Sequence, residues 1–234
     1  MKNLIFILTS AMFILSCNSS LDGEGAATAQ QEFAVDVFNS AEINCNCDVT
    51  FIPSEIPKVI VESHQNLIDN LEIQSKGKDL VIKEKQSVGE YNLYNVNVYF
   101  NPELEEIELN KQSKMKIAGT LKINEFYLDL NEQSSVNESF IEIKDLEIDA
   151  SNQAQIKMNG TVIQLDINTS DESRADLKDL QAVEIDFSAK DNSSLSVYAM
   201  KDLSGTASNN AEVDYKGDPN KDTTEKDRAI IRQN

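Results

Sequence analysis

The chain has 234 residues, 40% hydrophobic and 26% charged, with a formal net charge of -19. That apolar content is enough to pack a core and excludes a disordered polymer. The acidity argues against a nucleic-acid binder, because neutralising a phosphate backbone needs a basic surface, and it disfavours electrostatic docking on anionic lipid. Three Arg (Arg174, Arg228, Arg232), one His (His64) and no Trp leave few side chains for catalysis or ring stacking.

Residues 1–17 read as an address. Lys2 is followed by an apolar run from Leu4 to Leu15, too short for a comfortable membrane span and suited to a secretory signal. Ile14-Leu15-Ser16-Cys17 resembles a bacterial lipobox, in which Cys17 becomes the acylated first residue. The alternative is a secretory signal in which Cys17 is incidental. Residues 18–32 are small and polar, as a flexible tether to a lipid anchor would be.

Residues 33–101 alternate in hydrophobicity over short runs, predicting strands at FAVDVF, INCNCDVTFI, KVIVES, LEIQSK, DLVIKE and NVNVYF. HQNLIDNLE (64–72) predicts a short helix or turn with Leu67, Ile68 and Leu71 as its apolar face. In an extended INCNCDV strand, Cys45 and Cys47 would share one face, where a disulfide two residues apart is strained. No second Cys pair or nearby His completes a zinc site. The expectation is two buried small side chains, with no metal and no cofactor.

From Glu103 onward the chain repeats at about twenty residues. One inward column reads Ile107, Leu128, Leu146, Leu165, Ile185, Leu203; the next reads Leu109, Leu130, Ile148, Ile167, Phe187, Gly205. After a polar corner come Met115, Val136, Ile156, Ala175, Leu195, Val213, and then Ile117, Met158, Leu177, Val197, Tyr215. Glu138 interrupts this last column and predicts a bulge with its side chain outward. The corner has its own small-residue column: Ser113, Ser134, Ala154, Ser173, Ser193, Ala211. Strand alternation broken by Asn, Asp, Ser and Gly corners cannot bury its apolar face within one repeat, and stacking solves that. The expected fold is all-β: a right-handed parallel β-helix, or solenoid, of roughly 20-residue rungs with a less regular, strand-rich N-terminal half. The charged tail, 218–234, reads as a cap with a frayed end.

The order Phe38, Ile43, Asp48-Val49, then Val59-Ile60-Val61-Glu62, then Asn66-Leu67-Ile68-Asp69-Asn70-Leu71, then Gly77 with Leu80-Val81-Ile82 resembles the head GIN domain family of auto-transporter adhesin heads. The resemblance spans about 33–217 and rests on apolar patterns. It departs at INCNCDVT, where glycines usually punctuate the strands. It implies a β-helical, secreted or lipid-anchored protein of the Gram-negative cell envelope, an outer-membrane lipoprotein on its periplasmic or surface face. It supplies no binding residues.

Asp149, Asp166 and Asp186 project outward by alternation, with Arg174 read as their one cationic partner. Hydrolysis needs two carboxylates facing across a groove, and a Ser134 or Ser193 triad lacks a His, since His64 lies in the other half. The expected function is a non-catalytic, adhesin-like binding module held by its lipid anchor, with a glycan or matrix-protein ligand and no nucleic acid. The alternatives are a structural or regulatory envelope protein, and a polysaccharide lyase or hydrolase built on the same fold.

Overall fold

A computed structural model describes residues 20–234. In chain order the first strands are β1 (Ala29–Ala34), β2 (Ser40–Asn44), β3 (Asp48–Pro53) and β4 (Lys58–Ser63). The helix α1 (Gln65–Asn70) follows, then β5 (Leu71–Lys76), β6 (Asp79–Glu84) and β7 (Tyr94–Phe100). Leu67, Ile68 and Leu71 are buried, as the apolar spacing predicts. The FAVDVF run is only partly strand, because β1 ends at Ala34.

The repeating part comprises β8 (Glu106–Asn110), β9 (Lys114–Ile117), β10 (Thr120–Leu130), β11 (Ser135–Ala150), β12 (Gln155–Thr169), β13 (Arg174–Ala189) and β14 (Ser194–Ala207). It ends with β15 (Glu212–Lys216), β16 (Asn220–Glu225) and β17 (Ile230–Gln233). Each rung pairs in parallel with the next, giving a β-solenoid of about six turns with rungs of about twenty residues. The core is the stack of inward residues, with Ile107, Leu128, Ile148, Ile167 and Leu195 all at 0% exposure.

Three of the predicted columns stack as read. Val49, Met115, Val136, Ile156, Ala175, Leu195, Val213 and Ile231 are Cα partners in succession. The small-residue corner column is buried from Ser113 to Ala211. Glu138 has φ 39° at a register shift, its carboxylate is turned out to Lys157 at 2.8 Å, and the neighbouring Ser139 takes the buried position. The first two columns need correction. Leu128 stacks on Ile107 and Ile148, and Phe126 stacks on Leu146, so the early rungs sit two residues away from the register read from sequence. A shift of two keeps every side chain on its own face, so alternation cannot detect it.

The N-terminal half is solenoid too, but threaded out of order. The β2–β3 rung lies between the β6–β7 rung on one side and the β8–β9 rung on the other. Beyond β6 and β7 the exposed edges are closed by antiparallel strands, β5 on β6 and β4 on β7, with β1 on β4. Covering the edge in this way removes a template for uncontrolled strand pairing.

Cys45 and Cys47 are joined by a disulfide, with Cα atoms 5.3 Å apart, contrary to the expected pair of free thiols. The reason is local. The residues between Asn44 and Asp48 are a corner, not an extended strand, so the Cα atoms draw together. Lys114 N–H donates to the Cys47 carbonyl at 2.9 Å just as Ser135 N–H donates to Ser113, so Cys47 belongs to the small-residue corner column. Both sulfurs are buried, as expected.

Two segments read as peripheral lie on the folded body. Within 18–32, Leu21 N–H donates to Ser87 O at 2.8 Å and Gly23 N–H to Glu90 O at 2.8 Å, and β1 begins at Ala29. Within 218–234, β16 stacks on β14 and β17 on β15 as a final rung. Its inward positions below Leu203, Gly205 and Ala207 hold Lys221, Thr223 and Glu225. Polar groups there close the column, and Glu225 Oε1 accepts the Ile231 N–H at 2.8 Å.

Candidate functional surface

Stacking turns each outward sequence position into a column. On the side formed by β2, β8, β10–β14 and β16, one column is Glu106, Tyr127, Glu147, Asp166, Asp186, Ser204 and Asp222. Beside it runs Glu42, Glu108, Asp129, Asp149, Asn168, Ser188, Thr206 and Thr224. Neither column contains a Lys or Arg. A shallow groove of about 450 Å³ crosses this side, lined in part by Glu106, Glu125, Tyr127, Asp145, Glu147 and Asp166.

The carboxylates lie one rung spacing apart, about 4.8 Å. Burial, then Glu108 and Asp149, raises the Asp129 pKa. Burial, then Asp186 and Asp149, does the same to Asp166. Burial and the bond to Asp149 push the Tyr127 hydroxyl upward. Asp149 is held from both sides, by Tyr127 Oη at 2.8 Å and Asn168 Nδ2 at 2.8 Å. Cations sit at the margin, with Lys144 on Asp145 at 2.8 Å and Lys201 between Glu184 at 3.0 Å and Asp202 at 2.6 Å.

The predicted acids Asp149, Asp166 and Asp186 are therefore brought to one side, in two adjacent columns. They project from a sheet and do not oppose one another across a cleft, the arrangement that glycoside hydrolysis requires. Arg174 is not with them: it pairs in register with Gln155 and Ser194 on another side. Ser134 and Ser193 are buried in the corner column. His64 is buried in the cap, where Nδ1 lies 3.3 Å from Glu24 O and Asn92 N–H donates to Nε2 at 3.4 Å. Among the described residues no three His, Cys, Asp or Glu side chains converge as metal ligands would, and no helix is long and apolar enough to cross a membrane. Cys17, the expected lipidation residue, lies outside the described residues.

The corner between sides forms a second ordered surface. Six successive corners turn through two consecutive residues of positive φ: Glu132–Gln133, Asn152–Gln153, Asp171–Glu172, Asp191–Asn192, Asn209–Asn210 and Asp227–Arg228. Left-handed backbone disfavours residues with a Cβ. Here it is offset by a ladder in which Gln133 N–H donates to Asn152 O, Gln153 to Asp171, Glu172 to Asp191, Asn192 to Asn209 and Asn210 to Asp227, at 2.9–3.1 Å. A separate apolar groove of about 390 Å³ is lined by Pro53, Phe100, Pro102, Leu121 and Ile123.

These features define a class: an elongated parallel β-solenoid, capped at both ends, whose sides carry repeated polar columns. Within it the chain belongs to the family described as "Putative auto-transporter adhesin, head GIN domain", whose model matches residues 37–219. The fold is shared with a crystal structure of a putative adhesin from Bacteroides fragilis (TM-score 0.84, 14% identity, 92% of this chain and 100% of that one). It is shared with a putative lipid binding protein from Parabacteroides distasonis (TM-score 0.73, 19% identity, 92% and 100%). A putative adhesin from Parabacteroides merdae is also similar (TM-score 0.68, 16% identity, 92% and 99%). No curated protein matches the chain.

Proposed function

We propose that this chain is an outer-membrane lipoprotein, acylated at Cys17, that acts as a non-catalytic, adhesin-like module gripping an extended envelope or extracellular polymer along its acidic side. The observation that carries this reading is the pair of adjacent columns from Glu106 to Asp222 and from Glu42 to Thr224, which place a polar group at every rung, mostly carboxylates up to Asp186 and mostly hydroxyls beyond it. Their charge selects a glycan or matrix protein with regularly spaced cationic or hydrogen-bond-donating groups. One weak contact per rung, multiplied over rungs and over anchored copies, gains avidity through effective concentration without a deep pocket. Family membership supports an adhesive role.

The test uses glycan and matrix-protein arrays probed with the domain as a free monomer and immobilised on beads. Retention of beads, weak binding of monomer and no new reducing ends or unsaturated uronates are expected. Product formation at catalytic protein concentration, abolished by Asp166→Asn, would replace this reading with the lyase or hydrolase one. Acylation is tested by radioactive fatty-acid labelling in cells against Cys17→Ala. The apolar groove at Phe100 and Leu121 favours a second reading, acyl-chain binding. Ile123→Lys should then abolish fluorescent fatty-acid uptake, leaving array binding unchanged.

A further inference from the structure

A flexible tether of the length read from sequence would let the solenoid roam and present any side to the membrane. The structure removes most of that length. Leu21 N–H donates to Ser87 O at 2.8 Å, and Leu21 O accepts from Gly89 N–H at 3.0 Å. Asp22 O accepts from Asn66 Nδ2 at 2.8 Å, its Oδ1 accepts from Glu90 N–H at 2.9 Å, and Glu24 N–H donates to Asn66 Oδ1 at 3.0 Å. Gly23 is packed so closely on the His64 ring that a Cβ there would lie 2.4 Å from Cδ2. Residues 21–24 are thus a clamped leader, fixed to the loop joining β6 to β7 and to the start of α1.

We propose that this leader mounts the solenoid directly on the membrane, with the end closed by β4 and β5 inward and the β16–β17 end outward. The proposal rests on the acylation of Cys17. Three residues, or four Cα-to-Cα steps, separate Cys17 from Leu21, a reach of at most about 14 Å. From β5 through β6, β2, β8 and β10–β14 to β16 the stack is ten strands high. Nine spacings of about 4.8 Å make a column of about 43 Å. The leader joins this column at its first rungs, so the anchor lies close to one end and far from the other. Lying flat on its acidic side would press the carboxylate columns against phosphate headgroups, which repel them. In the proposed mount the end that carries the leader faces lipid, and both columns run away from the bilayer, open to a ligand along their length.

The chain has no Trp, so a single introduced one reports its own position. Cys45 and Cys47 are joined, so a chain expressed from Cys17 without the preceding residues, and therefore not acylated, keeps the Cys17 thiol for coupling to a maleimide lipid. The coupled protein is placed in vesicles of phosphatidylcholine and phosphatidylglycerol carrying a dansyl headgroup acceptor. Energy transfer is compared for Glu90→Trp, beside the leader, and Ile230→Trp, at the far end. Transfer several-fold stronger from position 90 is expected, and a long Gly/Ser spacer before Leu21 should erase most of the difference. Equal transfer from the two positions without the spacer, or stronger transfer from position 230, overturns the proposal. Chemical coupling makes this result independent of whether cells acylate Cys17, which the fatty-acid labelling decides separately.

Discussion

Tyr127 Oη donates to Asp149 Oδ2 at 2.8 Å, tying one rung to the next across the acidic side. This bond satisfies one oxygen of a carboxylate that has acidic neighbours above and beside it. Tyr127→Phe should therefore lower stability by about 1 kcal/mol, the usual net value of one such bond. Asn168→Ala, which removes the donor to the other oxygen, should cost about the same. Urea midpoints of the two single variants and the double variant measure the coupling through Asp149. Strict additivity would show that the two donors act independently.

The acidic columns set a pH dependence. Asp129 and Asp166 have folded pKa values raised by burial and by neighbouring carboxylates. Between the unfolded and folded values the native chain holds more protons, so their contribution to stability rises as pH falls through that window and falls as pH rises through it. The Asp129→Asn, Asp166→Asn double variant should be more stable than the parent at pH 7. Its advantage should shrink as the pH is lowered toward the ordinary Asp value of about 4. Thermal melts across that range give the comparison, and added salt at pH 7 should narrow the gap as well.

Core and corner should respond in opposite ways. Ile156→Asp puts an unpaired carboxylate into a dry column and should cost at least about 3 kcal/mol. Asp171 has φ 51°, so Asp171→Gly should lie within about 0.5 kcal/mol of the parent, whereas Asp171→Val should cost about 1–2 kcal/mol through left-handed strain. Denaturant unfolding of the three variants tests the rung register and the corner geometry together.

The disulfide predicts a thiol count. Denatured mature protein, acylated at Cys17, should show no free thiol without reductant and two after reduction. The cross-link closes a very short loop, so the Cys45→Ser, Cys47→Ser double variant should lose only about 1.5 kcal/mol by chain entropy. A larger loss would show that the sulfurs also contribute as packing at the corner beside Ser113.

Polar residues at the inward positions of the last rung should keep the column from growing end to end. Replacing Lys221 and Glu225 by Leu extends the apolar columns of Leu203 and Ala207 to an open strand edge. Light scattering should then report dimers or fibres at concentrations where the parent remains monomeric.

The sequence was informative wherever a side chain announces its own face. Ile156, Leu195 and Val213 were legible as one column because alternation and a constant period agree, and Glu138 was legible as a bulge because it breaks that agreement. The two-residue displacement of Leu128 was hidden because both registers keep Leu128 inward. The corner at Cys45–Cys47 was hidden because Ile43, Cys45, Cys47 and Val49 alternate as an unbroken strand would. The clamped leader could not be seen because Ser, Asp and Gly serve equally in a tether and in a tight backbone contact with Asn66. The acids were visible singly, but their assembly into columns with Tyr127 depends on the stack.

The interposed β2–β3 rung has a consequence for when this molecule can become itself. Its two neighbours, β6–β7 and β8–β9, are contributed by later chain, so a nascent polypeptide that has emerged only as far as β4 has a rung with nothing on either side. Closure waits until residues up to Ile117 are present and the intervening loops have been drawn in, an entropic cost that local contacts do not offset. The first part of the chain to appear is thereby kept loose until its partners arrive.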